Sequence, residues 1–405
     1  MTLLQILAGT TGQLLSTAAV LTLLILITFM SVRLQRRYRK HRVYRLLNTA
    51  LCFSLTHQAL MLLITMYSGI FPAWLNLAAI VLQVLSFLII NFVVLELYTK
   101  PRRLDHFLFI AGLGVTIALT IFEVIWNPDL LVSGNEHVSR PLSLDIFAVV
   151  IVYMGLQFIL PRIGQRRTYG AGVITYFTFL LVHAINHYLF QDAVAALTIV
   201  TFILPILYFT LLFILMFEWV IERLQSIYVS SITDGLTGLY NRQHFMKKAQ
   251  QYISHGHTVT FLFCDLDHFK KLNDTHGHHY ADGVLKQVAT ILANETDGIG
   301  TAGRYGGEEL VAAIYDPRSK PELVAETIRA RIESETPVTV SIGWSTAQKQ
   351  ISVQDVIHQA DQAMYHSKTT GKNKVTAYKD LKQNVTSESK RAQLTEPTQP
   401  LSKLT

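Results

Sequence analysis

The alternation of apolar and polar positions changes character near residue 217. Before it, apolar stretches follow one another at about 14–32, 46–66, 73–97, 107–126, 143–160, 171–190 and 194–217. Each is close to the roughly 17–25 residues a helix needs to cross hydrocarbon, so the pattern predicts a membrane α-helical bundle of about seven spans. Beyond it the apolar runs shorten. Val259–Phe263 has the continuous apolar character of a buried strand, and Thr301–Tyr305 and Leu310–Tyr315 are short runs joined through Gly306-Gly307. That glycine pair predicts a hairpin with a two-residue turn of positive φ. Helices are expected over about 242–254, 285–294, 321–334 and 353–369, and further strands at Val338–Trp344 and Val375. Strands mixed with hairpins and helices predict an antiparallel-rich α/β sandwich rather than a doubly wound sheet.

Between the two regions, residues 218–233 (EWVIERLQSIYVSSIT) carry apolar side chains at Val220, Leu224, Ile227 and Ile232, the pattern of a short amphipathic helix that could pair two protomers. Thr233 before Asp234 suits a turn or cap, and Asn241 suits the start of a helix. The expected organisation is therefore 1–217 membrane region, 218–233 signalling helix, 234–379 α/β domain and 380–405 a disordered tail rich in Ser, Thr, Gln and Pro.

Composition agrees with the division. Of 405 residues, 50% are hydrophobic and 16% charged, and the mean hydropathy is +0.33, too apolar for one soluble domain. The net charge of +7 invites a nucleic-acid reading. The excess is concentrated, however, in the loops that follow the first, third and fifth spans, Arg33–Arg45, Lys100–Arg103 and Arg162–Arg167, whereas the intervening loops hold only Arg140. By the positive-inside rule the N-terminus is outside and span seven delivers the second half to the cytoplasm. Topology thus accounts for the charge, and no nucleic-acid partner is expected. Trp74 and Trp126 would lie at the outer interface and Trp219 at the inner one. No basic n-region precedes the first span, which speaks against a cleaved signal peptide. Cys52 and Cys264 would lie in different environments, so they define no disulfide or zinc framework.

The chemistry gathers at two places. Asp265 and Asp267 stand where the Val259 strand ends, and Glu308 and Glu309 follow the paired glycines. If the hairpin packs beside that strand, Asp265 and Glu308 converge, and converging hard oxygen ligands suit Mg²⁺ bound to a nucleoside triphosphate.

Ordered blocks about these residues carry a resemblance. DGLTGLYNR at Asp234–Arg242, the D-x-D with Lys270 and Asn273, GH followed by Asp282, RYGGEEL ending at Leu310, SIGWS near Ser341 and YHSKTTGKNK at Tyr365–Lys374 together resemble the GGDEF family of diguanylate cyclase domains, over about Asp234–Tyr378. The resemblance implies a palm-type nucleotidyl-cyclase sheet of five strands. It implies that two GTP are condensed to cyclic di-GMP and two pyrophosphates by a homodimer, each domain holding one GTP. It implies two Mg²⁺ per site, with Mn²⁺ as a substitute, held by Asp265, the Leu266 carbonyl and Glu308, with Glu309 as a further contact and Lys270 organising the site. Guanine would be read by Asn273 and Asp282, the phosphates approached by Gly306 and Gly307 and bound by Lys368 and Lys372, both placed on the last helix. Lys372 replaces an Arg of the family, losing the bidentate fork. Asp297-Gly298-Ile299-Gly300 stands where the family has its R-x-x-D product-inhibition site, so weak feedback through that site is expected. A catalytically silent GGDEF module that binds nucleotide as a receptor is the alternative, as is a membrane receptor or transporter regulated by the domain.

Inside the spans, His57, His183, Asn186 and His187 are polar residues in costly surroundings, and Glu123, Asp145 and His187 are expected to cluster towards the outer side. A pocket for an unknown small ligand, metal or haem is one reading; interhelical hydrogen bonding is the simpler one.

Overall fold

The computed structural model describes residues 3–37, 41–67, 74–127, 141–347 and 351–381. The tail expected to be disordered lies, except for Asp380 and Leu381, outside them. The chain divides into two compact units, residues 1–222 and 223–405.

The first unit is helical: α1 (Leu3–Ala8), α2 (Thr10–Arg37), α3 (His41–Met66), α4 (Trp74–Tyr98), α5 (Arg103–Trp126), α6 (Leu142–Met154), α7 (Arg166–Ala184) and α8 (Ala195–Ile232). Seven helices among the described residues are long and apolar enough to cross a membrane, each overlapping one of the apolar stretches. A π-helical stretch, Gly155–Ile159, and a 3-10 turn, Leu160–Arg162, extend α6; a second π-helical stretch, Ile185–Leu189, extends α7. Helix α4 is the central one. Two-thirds of its most apolar window is buried against at most a third for the others, which is why apolar residues surround it on all sides instead of forming a stripe.

Polar side chains in this unit are paired across helices. The Tyr169 hydroxyl donates to Asn91 Oδ1 at 2.6 Å, while Asn91 Nδ2 donates to the Phe87 carbonyl. Asp105 accepts from Arg162 at 2.8 and 2.9 Å and from the Arg102 amide at the start of α5. The Trp219 indole N–H donates to the Leu97 carbonyl. Of the expected outer group, Glu123 accepts from the Ser143 amide and Asn127, Asp145 accepts from the Tyr188 hydroxyl, and His187 bonds Asp192 and packs against the Tyr188 ring. Helix α8 does not stop at residue 217. It runs on to Ile232 with Pro205 inside it, so the expected signalling helix is its continuation.

In the second unit a six-stranded sheet carries helices on both faces. Its strands are β1 (Tyr240–Asn241), β2 (Thr260–Leu266), β3 (Gly300–Arg304), β4 (Glu309–Ile314), β5 (Val340–Thr346) and β6 (Val375–Ala377), in the order β1-β3-β4-β2-β5-β6. The helices are α9 (Arg242–Ser254), α10 (Phe269–His276), α11 (His278–Thr296), α12 (Pro321–Glu335) and α13 (Val353–Thr369). Central β2 pairs antiparallel with β4 and β5; the outer pairs β1–β3 and β5–β6 are parallel. The sheet thus has six strands where five were expected, the extra one being a two-residue edge.

Every residue of β2 is buried because both faces are covered, and the period of two divides its side chains between two cores. Leu262, Cys264 and Leu266 join Leu310, Ala312 and Ile314 of β4 under α11 and α12. Phe261 and Phe263 join Val311 and Ala313 with residues of α9 and α13. The same alternation puts Asp265 and Glu309 on the α13 side. Gly343 of β5 is what lets α13 lie close. A Cβ there would run into the backbone of Ala360, Ala363 and Met364.

Two expectations need correction. Gly306 and Gly307 do not have positive φ, and the β3–β4 link runs over residues 305–308, not two residues. The Tyr305 and Gly306 amides both donate to the Glu309 carbonyl, closing the turn with ordinary φ. A Cβ at Gly306 would meet the Glu309 carboxylate, the movable end of a side chain, and one at Gly307 would meet nothing within 4 Å. Lys372 is not on the last helix: α13 ends at Thr369, and Lys372 lies three residues beyond at φ +63°.

Candidate active site

Three carboxylates meet at the end of β2. Asp265 is the Cα partner of Glu309 across the β2–β4 ladder, and Glu308 immediately precedes Glu309. Lys368, in the last turn of α13, reaches Asp265 Oδ1 at 2.5 Å, an ion pair in which the carboxylate is largely buried. Burial, above all, pushes the Asp265 carboxyl above its ordinary range; Lys368 opposes the rise, and the nearby Asp267 and Asp361 add to it. Glu308 is raised by burial and then by Asp265, and Glu309 by burial, Asp265 and Asp361. Three anions are therefore held where burial and mutual repulsion make their charge costly, and Lys368 compensates only in part. Asp361, about two turns before Lys368 on α13, was not singled out from sequence; burial raises its carboxyl too.

Among the described residues no three His, Cys, Asp or Glu side chains are close enough to hold a metal by themselves. A divalent ion carried on a nucleotide would need only one or two protein carboxylates, completing its shell from phosphate and water. Asp265, Glu308 and the Leu266 carbonyl are the groups available here, with Glu309 beside them.

Asp267, the second carboxylate of the D-x-D, does something else. It is buried, with Oδ1 accepting from the Ser341 hydroxyl at 2.7 Å and Oδ2 from the Thr339 hydroxyl at 2.8 Å and the Asn373 amide at 2.9 Å. It ties the end of β2 to β5 and to the turn that carries Lys372.

Arg304 supports the other side of the turn. Its guanidinium donates to the carbonyls of Gly306 and Gly307 and to Asp234 Oδ1 at 3.0 Å. Asp234 also accepts from the Thr237 amide and hydroxyl, so burial, which acts to raise its carboxyl, is outweighed and the group titrates below its ordinary range. The opening DGLTG block and the GGEE turn are thereby stapled together.

Asn273 and Asp282 are brought onto neighbouring helices, α10 and α11, which meet at Gly277 with φ +81°. Asn273 Oδ1 is buried with no hydrogen-bond partner among the described residues, an acceptor in need of a donor. Lys270 is on the exposed side of α10. Among the described residues no hydrogen bond joins Lys270, Asn273, Asp282 or the Lys372 side chain to the carboxylates. The structure thus gathers Asp265, Glu308, Glu309 and Lys368, and keeps the base-reading pair on the helices that follow β2.

A mixed sheet with helices on both faces and a carboxylate cluster at the end of its central strand has the architecture of the nucleotidyl-cyclase palm. Residues 231–374 match the family described as diguanylate cyclase, GGDEF domain. The chain is 34% identical over 165 residues to diguanylate cyclase A of Treponema denticola, covering 36% of this chain and 44% of that one. It is 36% identical over 162 residues to the response regulator PleD of Caulobacter vibrioides, covering 36% of each. The crystal structure of the coiled coil and GGDEF domain of DgcB from Caulobacter crescentus in complex with c-di-GMP is 31% identical, with 40% of this chain and 93% of that chain covered and a TM-score of 0.38. The chain spans less than half the length of the two curated relatives. Its residues 231–374 are a GGDEF domain.

Proposed function

We propose that this chain is a membrane-embedded diguanylate cyclase that condenses two GTP into cyclic di-GMP with release of two pyrophosphates. The observation that carries the reading is the convergence of Asp265, Glu308 and Glu309, all raised in pKa, beside Lys368 at the end of a fully buried strand. Isolated surface carboxylates would not be arranged at such electrostatic cost. A divalent ion, Mg²⁺ in the cell and two per site, would neutralise charge on the triphosphate and on departing pyrophosphate. Asp265, Glu308 and the Leu266 carbonyl would hold it, with Glu309 in support. Lys368 would transfer from Asp265 to the terminal phosphates, and Lys372 would add a point charge. Asn273 and Asp282 would read guanine, whose N1–H and exocyclic amine supply donors that adenine does not present in that arrangement. Gly306 and Gly307 keep the turn open to the phosphates.

One domain holds one GTP, whereas the product needs the 3′-hydroxyl of each nucleotide to attack the α-phosphate of the other. A homodimer with two domains face to face is therefore part of the chemistry. By the positive-inside rule the basic loops favour an N-terminus outside and this domain in the cytoplasm, where GTP is. The region of residues 1–222 would set how often two domains meet. Asp297–Gly300 offers no arginine to grip product phosphates, so feedback through that position is weak: product added in excess should leave the initial rate nearly unchanged.

The test is turnover by the full-length protein in lipid nanodiscs with GTP and Mg²⁺, the product being read by chromatography. Wild type should form cyclic di-GMP, and Glu308→Ala should lose on the order of 100-fold or more. A wild-type protein that binds GTP tightly yet releases no product would establish the receptor reading instead.

A further inference from the structure

Past the end of α13 the chain makes a turn that the backbone does not favour by itself. Gly371, Lys372 and Asn373 follow one another at φ +130°, +63° and +46°. A lysine in the left-handed region is uncommon, and asparagine is among the residues that tolerate it best. Two such residues in succession persist only where their surroundings hold them.

Backbone bonds supply part of the hold. The Lys372 amide donates to the Ser367 carbonyl, the Asn373 amide to Asp267 Oδ2 and the Ile342 amide to the Lys374 carbonyl, each at 2.9 Å. The rest comes from α12, a helix to which the proposed chemistry gives no part. Asn373 turns both ends of its side-chain amide towards it: Oδ1 accepts from Arg329 Nη1 at 2.8 Å, and Nδ2 donates to Glu333 Oε1 at 2.7 Å. Arg329 Nη1 also donates to Glu333 Oε2 at 2.7 Å, which closes a ring of three side chains. The Nε and Nη2 of Arg329 donate to Glu326 Oε1 at 2.8 and 2.6 Å. An amide carries an acceptor and a donor side by side, so it alone fits an Arg–Glu pair in this way.

Stability is a poor account of the arrangement. The Glu326 and Glu333 side chains are 52% and 48% exposed, and ion pairs so open to solvent add little net stability. Arg329 is only 15% exposed, a planar fork fixed by four hydrogen bonds. What the fork contributes is geometry: it sets where Asn373, and with it the residue before, must stand.

We propose that Arg329, Glu333 and Asn373 are positioning residues for nucleotide binding, holding the 371–373 turn in its left-handed conformation so that Lys372 is presented to the terminal phosphates of the bound triphosphate. The proposal rests on the reading of Lys372 as a phosphate ligand. Without the fork the turn must be ordered when nucleotide binds, and that loss falls on affinity and not on the chemical step. It falls, moreover, only on ligands that have terminal phosphates.

The test uses the full-length protein in lipid nanodiscs with Mg²⁺. Equilibrium dialysis measures binding of α,β-methylene-GTP, whose bridging carbon prevents turnover, and of GMP, which lacks the terminal phosphates; steady-state rates with GTP follow. Arg329→Met removes the fork, and Asn373→Gly permits the same φ without the amide. Each should weaken the analogue and raise KM about fivefold to tenfold, with kcat and GMP binding kept within about twofold of wild type. Arg331→Met breaks pairs with Glu295 and Glu335 on the same helix, none of them to the turn, and should leave both affinities unchanged. Analogue binding equal to wild type in Arg329→Met and Asn373→Gly, GMP weakened as much as the analogue, or the same loss in Arg331→Met would overturn the proposal. The binding ratios stand apart from turnover: a wild type that binds the analogue yet forms no product would defeat the cyclase reading alone, and one that binds neither nucleotide would defeat both.

Discussion

Asp265, Glu308 and Glu309 share one electrostatic predicament, and it has a sign that can be measured. A carboxyl whose pKa is raised on folding binds its proton more readily folded than unfolded. Its contribution to stability is complete below its ordinary value and is lost as pH rises through the raised one. At neutral pH without a divalent ion all three therefore count against folding. Glu308→Gln should raise the thermal midpoint of the metal-free protein at pH 7 by a few degrees while abolishing product formation, and the gain should shrink as pH falls into the carboxylate range. A melting series from pH 7 to pH 4 checks this; a variant less stable than wild type at pH 7 would contradict it. Asp267 predicts the opposite. It accepts three hydrogen bonds from buried or half-buried donors, so Asp267→Asn should cost about 2–4 kcal/mol and speed amide exchange in β2 and β5. The Asn373 amide would lose its anchor next to Lys372, and KM for GTP should rise.

At the scale of elements, the long periodic segments were legible. Residues 242–254 and 353–369 are helical at the boundaries the apolar spacing suggests, and Asn241 caps the first by accepting from the His244 amide. The two misreadings have a common cause. Sequence marks glycine as a residue freed from a Cβ, but not whether that freedom is used; the Gly306-Gly307 turn uses it neither for a positive φ nor, at Gly307, for room. Likewise, the four-residue step from Lys368 to Lys372 looks like one helical turn until a Gly371 at φ +130° intervenes. Helix α10 went unread because eight residues, mostly polar, carry too little pattern. Asp361 was invisible because its significance comes from β2 and β4, remote in sequence. Gly343 was inside a quoted motif, yet its purpose shows only when α13 is laid on it. Gly343→Ala should therefore cost about 1–3 kcal/mol and move Lys368 from Asp265, lowering both the thermal midpoint and turnover.

For the whole molecule, α8 is the continuous feature. A helix turns 100° per residue, so one Ala inserted between Phe217 and Leu224 rotates everything beyond it, whereas seven restore the phase of a heptad. If paired helices present the domains to each other, insertions of one or two residues should alter product output several-fold, and an insertion of seven should return it towards wild type; output indifferent to phase would sever the membrane region from control.

The bond from Lys368 to Asp265 has a last consequence. If Asp265 holds a metal as proposed, the Lys368 ammonium stands where that cation would sit and acts as its placeholder. Bare magnesium must compete with it, whereas magnesium arriving on a triphosphate offers the lysine new anions in exchange. With Lys368→Met that guard is gone: titration calorimetry should find metal alone bound more tightly, and nucleotide more weakly, than in the natural chain.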